Sequence, residues 1–424
     1  MRHARRLHPA WTVLVALTVC MASGAGLRAI FGVFIKPLEA EFGWTRGALS
    51  GAASVSLLLI GAVGPLAGRL ADRFGPRRVV LAAVALMAVG ALCAGTIHAL
   101  WQVYLTMGVV LATGAGGLGI STASAIAARW FDARRGLAMG IAAGGMSAGQ
   151  LVVIPLATAL VVWLGWRSSF FWLGAGTLAL VLPLAVWLIR NDPSEQGVRP
   201  YGATGPTPRA GDAANDPAAG RVGLLEAAQY PQFWLLMATF FVCGYTSNGM
   251  VLTHFMPHAL EHNFTEFQAS TALGIMGAMN IVGTIASGWI CDRFGSRGPL
   301  ATYYFIRGLS LLFLLYVWDT PSLHLWAAIF GLNYISTVPP TTTLTASIFG
   351  RYSVGELSGW IYFSHQVGAA LGAAIAGWVF EIYGGYGPAF VSAAVLGVVA
   401  AGLTLLIREG RAITPPLAPA PARL

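Results

Sequence analysis

The sequence predicts an all-α membrane protein of twelve transmembrane helices, arranged as two six-helix, pseudo-symmetric bundles. Three observations predict it. Of 424 residues, 56 % are hydrophobic and only 10 % charged, with a mean hydropathy of +0.70, whereas a soluble domain carries about 25 % charged residues. The apolar residues are gathered into runs long enough to cross a bilayer core, which takes about 20 residues each. A loop sequence also recurs at matching places in the two halves of the chain.

The runs extend over Trp11–Ile35, Ala48–Ala67, Val79–Ile97, Val103–Ala127, Gly136–Leu160 and Phe170–Ile189. A polar break follows, and then come Phe233–Met256, Ala269–Ile290, Leu300–Val317, Leu325–Ile348, Leu357–Val379 and Ala389–Ile407. They are continuous rather than alternating, so their backbones are satisfied by helices and not by barrel strands. The basic start at Met1–Arg6 and the small residues Ala22-Ser23-Gly24-Ala25 resemble a signal peptide, but the apolar run continues past them and reads as an uncleaved first span. Pro, Gly, Ala and Asp dominate between Arg190 and Gln229 without apolar period, which reads as a flexible linker. The resulting domain plan is 1–189 for the first bundle, 190–229 for a cytoplasmic linker, 230–410 for the second bundle, and 411–424 for a disordered cytoplasmic tail.

Of the 25 basic residues, Lys36 is the only lysine. Counting loops alternately, twenty arginines fall on the side of the termini, and Lys36, Arg46 and Arg167 on the other. That asymmetry places both termini in the cytoplasm and supports an even span count, as expected for a multi-pass protein of the cell inner (plasma) membrane. Scattering of the charge among short loops argues against a nucleic-acid partner. Cys20, Cys93, Cys243 and Cys291 have no paired spacing, so neither disulfides nor a metal site is implied.

The repeated loop reads Gly68-Arg-Leu-Ala-Asp72-Arg73-Phe-Gly75-Pro-Arg77-Arg78 in the first half and Gly288-Trp-Ile-Cys-Asp292-Arg293-Phe-Gly295-Ser-Arg297 in the second. Both copies join the second and third spans of their own half, the mark of a duplicated helical unit. The pattern resembles the signature loop of the major facilitator superfamily. Its glycines permit close approach and a tight turn, and its Asp and Arg can pair across helix ends in one conformation and release in another. The plainer reading is a cytoplasmic turn whose arginines set topology. The second copy lacks the last arginine of the first, which implies a weaker salt-bridge network.

A narrower resemblance rests on Phe31-Gly-Val-Phe-Ile-Lys-Pro-Leu-Glu-Ala-Glu-Phe-Gly-Trp44, Arg129-Trp-Phe-Asp-Ala-Arg-Arg-Gly136 and Gly165-Trp-Arg167. These are similar to the monocarboxylate porter and oxalate/formate antiporter branch, and imply a small organic anion as substrate. In that branch a lysine occupies what looks like the position of His365 in the eleventh span, after a similar Tyr-x-x step; histidine makes an anion role pH-dependent. A neutral His365, satisfied by Tyr or Ser across helices, is the alternative. The branch's eighth-span arginine has no counterpart in Ile281–Ser287, which fits a single carboxylate better than a dicarboxylate.

Charge inside a span costs about 2.5–3.5 kcal/mol on insertion scales, so two arginines stand out. Arg28 lies in the first span with Gly24 and Gly32 one turn either side, a glycine-lined face that favours an inward cation over one that snorkels to the surface. Arg307 lies near the middle of the ninth span, a peripheral helix in the resembled family, which favours a structural tie over a ligand. Tyr245 and Asn248 in the seventh span and Asn333 and Tyr334 in the tenth, the latter beside Pro339-Pro340, are pore-lining candidates. No carboxylate lies mid-span, so proton coupling would need His365 or His254, or an acid that crosses with its proton.

The expected function is therefore secondary active transport of a small, monocarboxylate-like organic anion by alternating access, by a monomer in the lipid bilayer, with protons as a candidate co-substrate. Multidrug or other small-molecule efflux by proton antiport is the alternative. No nucleophile, base and metal set is clustered as an enzyme would need, and neither catalytic residues nor a cofactor are expected.

Overall fold

The computed structural model describes residues 8–204 and 222–409. Its helices, taken in chain order, are α1 (Pro9–Phe42), α2 (Arg46–Phe74), α3 (Pro76–Ala94), α4 (Leu100–Trp130), α5 (135–164) and α6 (166–188) in the first half. The second half holds α7 (Pro231–Glu261), α8 (Glu266–Phe294), α9 (Arg297–Leu314), α10 (Thr320–Tyr334 with Val338–Phe349), α11 (Val354–Tyr383) and α12 (Gly387–Leu405).

Nine helices among the described residues are long and apolar enough to cross a membrane by themselves. The remaining three spans follow from local chemistry. Gly165, at φ 79°, turns the chain between α5 and α6, which otherwise run on as one helix. In α9 the charge of Arg307 sits within a helix of 18 residues. In α10 the helix stops at Tyr334 and resumes at Val338, ahead of Pro339 and Pro340, where the proline rings cannot continue the upstream hydrogen bonds.

Helix ends follow sequence signals. Proline stands in the first turn of α1, α3, α7, α10 and α12, where its missing N–H costs nothing. Thr45 accepts from the Ala48 N–H at 3.2 Å, and Thr265 caps α8 reciprocally with Gln268. Large apolar side chains such as Trp163, Trp172, Trp187 and Trp378 are exposed on the outside, a surface suited to lipid and not to water.

An even number of crossings leaves both termini on one side, here called the terminal side. There the two bundles meet in two matched contacts, α2 with α11 and α5 with α8. A Cβ on Gly355 would stand 2.6 Å from the Gly68 carbonyl oxygen, and one on Gly136 2.5 Å from that of Gly288, so neither contact admits a side chain. The Asp72 carboxylate accepts from the N–H groups of Gly355 (3.2 Å) and Glu356 (2.8 Å), at the N-terminus of α11. Asp292 does the same for Gly136 and Leu137, both at 2.7 Å, at the N-terminus of α5. Each carboxylate so meets the positive end of a helix from the opposite bundle.

In this conformation the arginines of the repeated loop lie elsewhere. Arg73 lies over the Phe74 ring and Arg293 over Trp289 and Phe294. Arg77 ties within its own bundle, donating Nη2 to the Val186 carbonyl at 2.8 Å and its backbone N–H to Asn191 Oδ1 at 3.0 Å. In the second half Glu409 takes the place of Asn191, accepting from the backbone N–H groups of Ser296 and Arg297 at 2.6 Å each. Gly75 and Gly295, at φ 91° and 80°, make the two equivalent turns that only glycine adopts without strain. The second copy satisfies the same helix end with a carboxylate where the first uses an amide.

On the opposite side a Cβ on Gly32 and Gly47 of the first bundle, or Gly274, Gly277 and Gly377 of the second, would meet nothing within 4 Å. The glycine contacts and carboxylate links that join the bundles thus gather toward the terminal side. The described ends of the linker are held against the bundles: Tyr201 pairs with Trp130 (N–H to O, 2.8 Å) and packs edge-on against Trp11, while the Val222 N–H donates to Ser353 Oγ at 2.8 Å. Residues 205–221 and the expected disordered tail, 411–424, lie outside the described residues.

A hydrogen bond to a charged acceptor contributes about 1.5–3 kcal/mol, so Asp72→Asn with Asp292→Asn should loosen the terminal-side closure. Hydrogen exchange read by mass spectrometry is expected to speed up at least tenfold for the peptides holding Gly136, Leu137, Gly355 and Glu356. Unchanged protection would show that glycine packing alone holds the closure.

Candidate functional site

Several helices are interrupted or widened near mid-span, where the candidate residues lie. The first straight segment of α1 ends at Ala29, and a kink at Ile30 re-aims the helix, so Arg28 occupies the last turn of that segment. A cation there is favoured by the partial negative charge of the helix end. The α7 segment Tyr245–Leu252 has wide π-type turns, a geometry frequent at functional sites. The half-helices of α10 part at residues 335–337, and α4, its counterpart in the first bundle, breaks similarly at Leu118 and Gly119.

Arg28 is half-buried and faces the second bundle, where its charge acts on the Tyr334 hydroxyl of α10 and the Tyr362 hydroxyl of α11. Among the described residues no ion pair joins Arg28 to a carboxylate. The Tyr334 hydroxyl donates to Asn248 Oδ1 at 2.5 Å, which brings α7 into the same group. Tyr334 and Asn248 thus form one hydrogen-bonded pair between α10 and α7, and Tyr334 and Tyr362 both feel the positive charge of Arg28 on α1.

Other candidate residues are placed elsewhere. The Tyr245 ring is buried and its hydroxyl lies 3.4 Å from Ser392 Oγ on α12, away from Arg28. Asn333 is buried and donates Nδ2 to the Ile329 carbonyl at 2.8 Å. Arg307 is fully buried in the second bundle. Its Nη2 donates to the Asn333 carbonyl and, at 2.9 Å, to that of Tyr334, while its Nη1 reaches Cys243 Sγ at 2.9 Å. Those two carbonyls end the first half-helix of α10, so the guanidinium caps a C-terminus that the break leaves without partners. His365 lies beside this group, stacked on Tyr362 at 5.6 Å, with Nδ1 3.1 Å from Gln366 Oε1.

One cross-bundle link at cavity level escaped the sequence reading. Asn280 of α8 donates Nδ2 to Ser147 Oγ of α5 at 2.7 Å, and its Oδ1 accepts from the Ile335 N–H at 3.0 Å and from Thr284 Oγ1 at 3.1 Å. A lone mid-span amide was the available signal. Tyr362 was likewise visible only as a neighbour of His365.

These features can be set beside known proteins. A family model described as Major Facilitator Superfamily matches residues 16–373. An uncharacterized MFS-type transporter of Bacillus subtilis, YcxA, is 27 % identical over 407 residues, covering 89 % of this chain and 90 % of that one. Monocarboxylate transporter 13 of Rattus norvegicus is 25 % identical over 401 residues, covering 94 % and 88 %. Among solved structures, the proton:xylose symporter XylE superposes with a TM-score of 0.73 at 15 % identity, over 94 % of this chain and 96 % of that one. FucP in its outward conformation superposes with a TM-score of 0.71 at 14 % identity, over 95 % and 100 %.

Because Asn280 serves three partners and Ser147 one, removing them should differ in cost. A buried group left unsatisfied costs about 1–3 kcal/mol, so Asn280→Ala should lower the melting temperature clearly, and Ser147→Ala by less. Thermal unfolding in detergent checks the order, and an equal or larger drop for Ser147→Ala would contradict it.

Proposed function

This chain belongs to the Major Facilitator Superfamily, and on that premise we propose that it is a secondary active transporter of small, monocarboxylate-like organic anions that works by alternating access. Transport in general, in a multi-pass membrane protein, follows from family membership; the anion and the mechanism are the proposal. The observation that carries it is Arg28, a half-buried guanidinium in the first span without a carboxylate partner among the described residues, whose charge reaches the hydroxyls of Tyr334 and Tyr362 in the second bundle. The name of monocarboxylate transporter 13, a relative along most of the chain, supports the same substrate class.

In this reading the solute enters while the cavity is open opposite the terminal side. Its carboxylate takes the forked donors of Arg28, with the Tyr334 and Tyr362 hydroxyls placed to complete its hydrogen bonds. Burying an unpaired cation is costly, and a bound anion removes much of that cost. Occupied cavities therefore close more readily than empty ones, which ties bundle movement to solute. Rocking then exchanges the contacts on one side for contacts on the other, around Asn280 and Ser147 near the pivot. The loop arginines support a cytoplasmic terminal side in the cell inner membrane, so the open side faces outward. The protein acts as a monomer and leaves its solute chemically unchanged.

Loss of a charged, forked contact of about 3 kcal/mol should reduce transport by about a hundredfold. Uptake of labelled lactate, pyruvate and formate into proteoliposomes is expected to collapse in Arg28→Ala, with Arg28→Lys retaining part, since a point charge lacks the fork. Movement of a cationic dye, with none of the acids crossing, would instead establish the drug-efflux alternative.

A further inference from the structure

The second bundle holds a buried charge that the anion reading does not use. Arg307 is wholly excluded from solvent, and a guanidinium keeps its proton in proteins. Its Nη2 is occupied by the α10 carbonyls, and its Nη1 donates to Cys243 Sγ at 2.9 Å. No carboxylate lies in the middle of any span to balance this charge. The nearest acidic group is the Cys243 thiol, itself buried, with Thr337 Oγ1 at 3.2 Å and the His365 imidazole acting on it from α11. Two hydrogen-bonding groups, one of them a cation, converge on one sulfur. A neutral thiol is a weak acceptor, whereas a thiolate beside a cation accepts strongly.

We propose that Cys243, held between Arg307, Thr337 and His365, is an exchangeable proton-binding site, empty as a thiolate and loaded as a thiol. The route runs through His365, which is stacked on the cavity residue Tyr362 and bonded to Gln366. A proton from cavity water adds to one imidazole nitrogen, and the proton on the other passes to sulfur. An S–H bond forms, the imidazole returns to neutrality, and release retraces the same steps. The inference goes beyond the anion reading, because the site takes a proton whichever solute the cavity accepts. It supplies an acid where the chain has no mid-span Asp or Glu.

The groups facing the sulfur come from every helix packed there. Arg307 and Tyr304 come from α9, Thr337 and Tyr334 from α10, and His365 and Tyr362 from α11. Tyr245, on α7 itself, turns toward α12, and α12 carries no titratable side chain over Gly387–Leu405. Arg28, from the first bundle, acts on Tyr334 and Tyr362. Among these, Cys243 is the one acid that can offset Arg307 near neutral pH, since phenols titrate at about 10.

The test is the S–H stretching band in the infrared spectrum of the full-length protein in lipid, taken as wild type minus Cys243→Ser. An ordinary thiol, with its pKa of about 8.5, is still largely protonated at about pH 8. The expected result is a Cys243 band at least tenfold weaker at about pH 8 than at about pH 5, growing in reversibly on acidification. In Arg307→Gln the band should persist at pH 8; if that variant does not fold, His365→Ala should move the transition to higher pH. A full-strength band at about pH 8 in the wild type, or a transition that ignores these substitutions, overturns the proposal. The readout needs no solute, so failure of the anion reading would leave it unaffected.

Discussion

Charges in this fold rest on the ends of helices. Water is not available to them inside a bilayer, and the chain has too few acidic residues to pair its arginines. The exposed N–H and C=O groups of helix termini take that role. Asp72 and Asp292 sit on the N-termini of α11 and α5, Glu409 on that of α9 where the neutral Asn191 serves α3, and Arg307 on the C-terminal carbonyls of the broken α10. The two halves repeat this scheme, which is why one loop sequence occurs twice.

The same constraint explains where the molecule can move. Contacts between a carboxylate and backbone N–H groups are strong but need no interlocking side chains, so they can part without rearranging a core. Gly68 with Gly355, and Gly136 with Gly288, add close packing that exists only while the bundles are together. Within the second bundle, by contrast, Arg307 ties α9, α7 and both carbonyls at the α10 break into one unit. The structure thus separates contacts suited to breaking from contacts suited to lasting. Arg28 belongs to neither group. Its own helix end compensates it in part, and the remainder is what an incoming anion would meet.

Much of this was legible in the sequence. Run length and the doubled Asp-Arg-Phe-Gly loop pointed to twelve spans in two halves; of the glycines flanking Arg28, Gly24 packs against Leu118 and Met87 while a Cβ on Gly32 would meet nothing within 4 Å. The partners of Asp72 and Asp292 were not legible, because a backbone N–H at a helix end has no side-chain signature. Tyr245 illustrates a second limit. It shares a polar stretch with Asn248, but the wide turns from Tyr245 to Leu252 shift the helical phase and turn it toward Ser392. The Pro/Gly composition of the linker hid the pairing of Tyr201 with Trp130, which depends on aromatic rings brought from α1 and α4. Asn280 showed only as a lone mid-span amide and Cys243 only as an unpaired cysteine; the packing of several helices gives them their partners.

The central claim is that neutralising Arg28 permits the open side to close. The direct measurement is the distance between spin labels on Trp163→Cys of α5 and Phe267→Cys of α8, both exposed and far from the terminal side, in a Cys93→Ser background. With pyruvate present, the distance distribution should shift toward shorter values. It should stay unchanged with the uncharged amide of the same acid, whereas in Arg28→Gln, which leaves no cation to bury, it should already be short and respond to neither solute. Equal closure by acid and amide in the wild type, or an Arg28→Gln protein that stays open until pyruvate is added, would contradict the account.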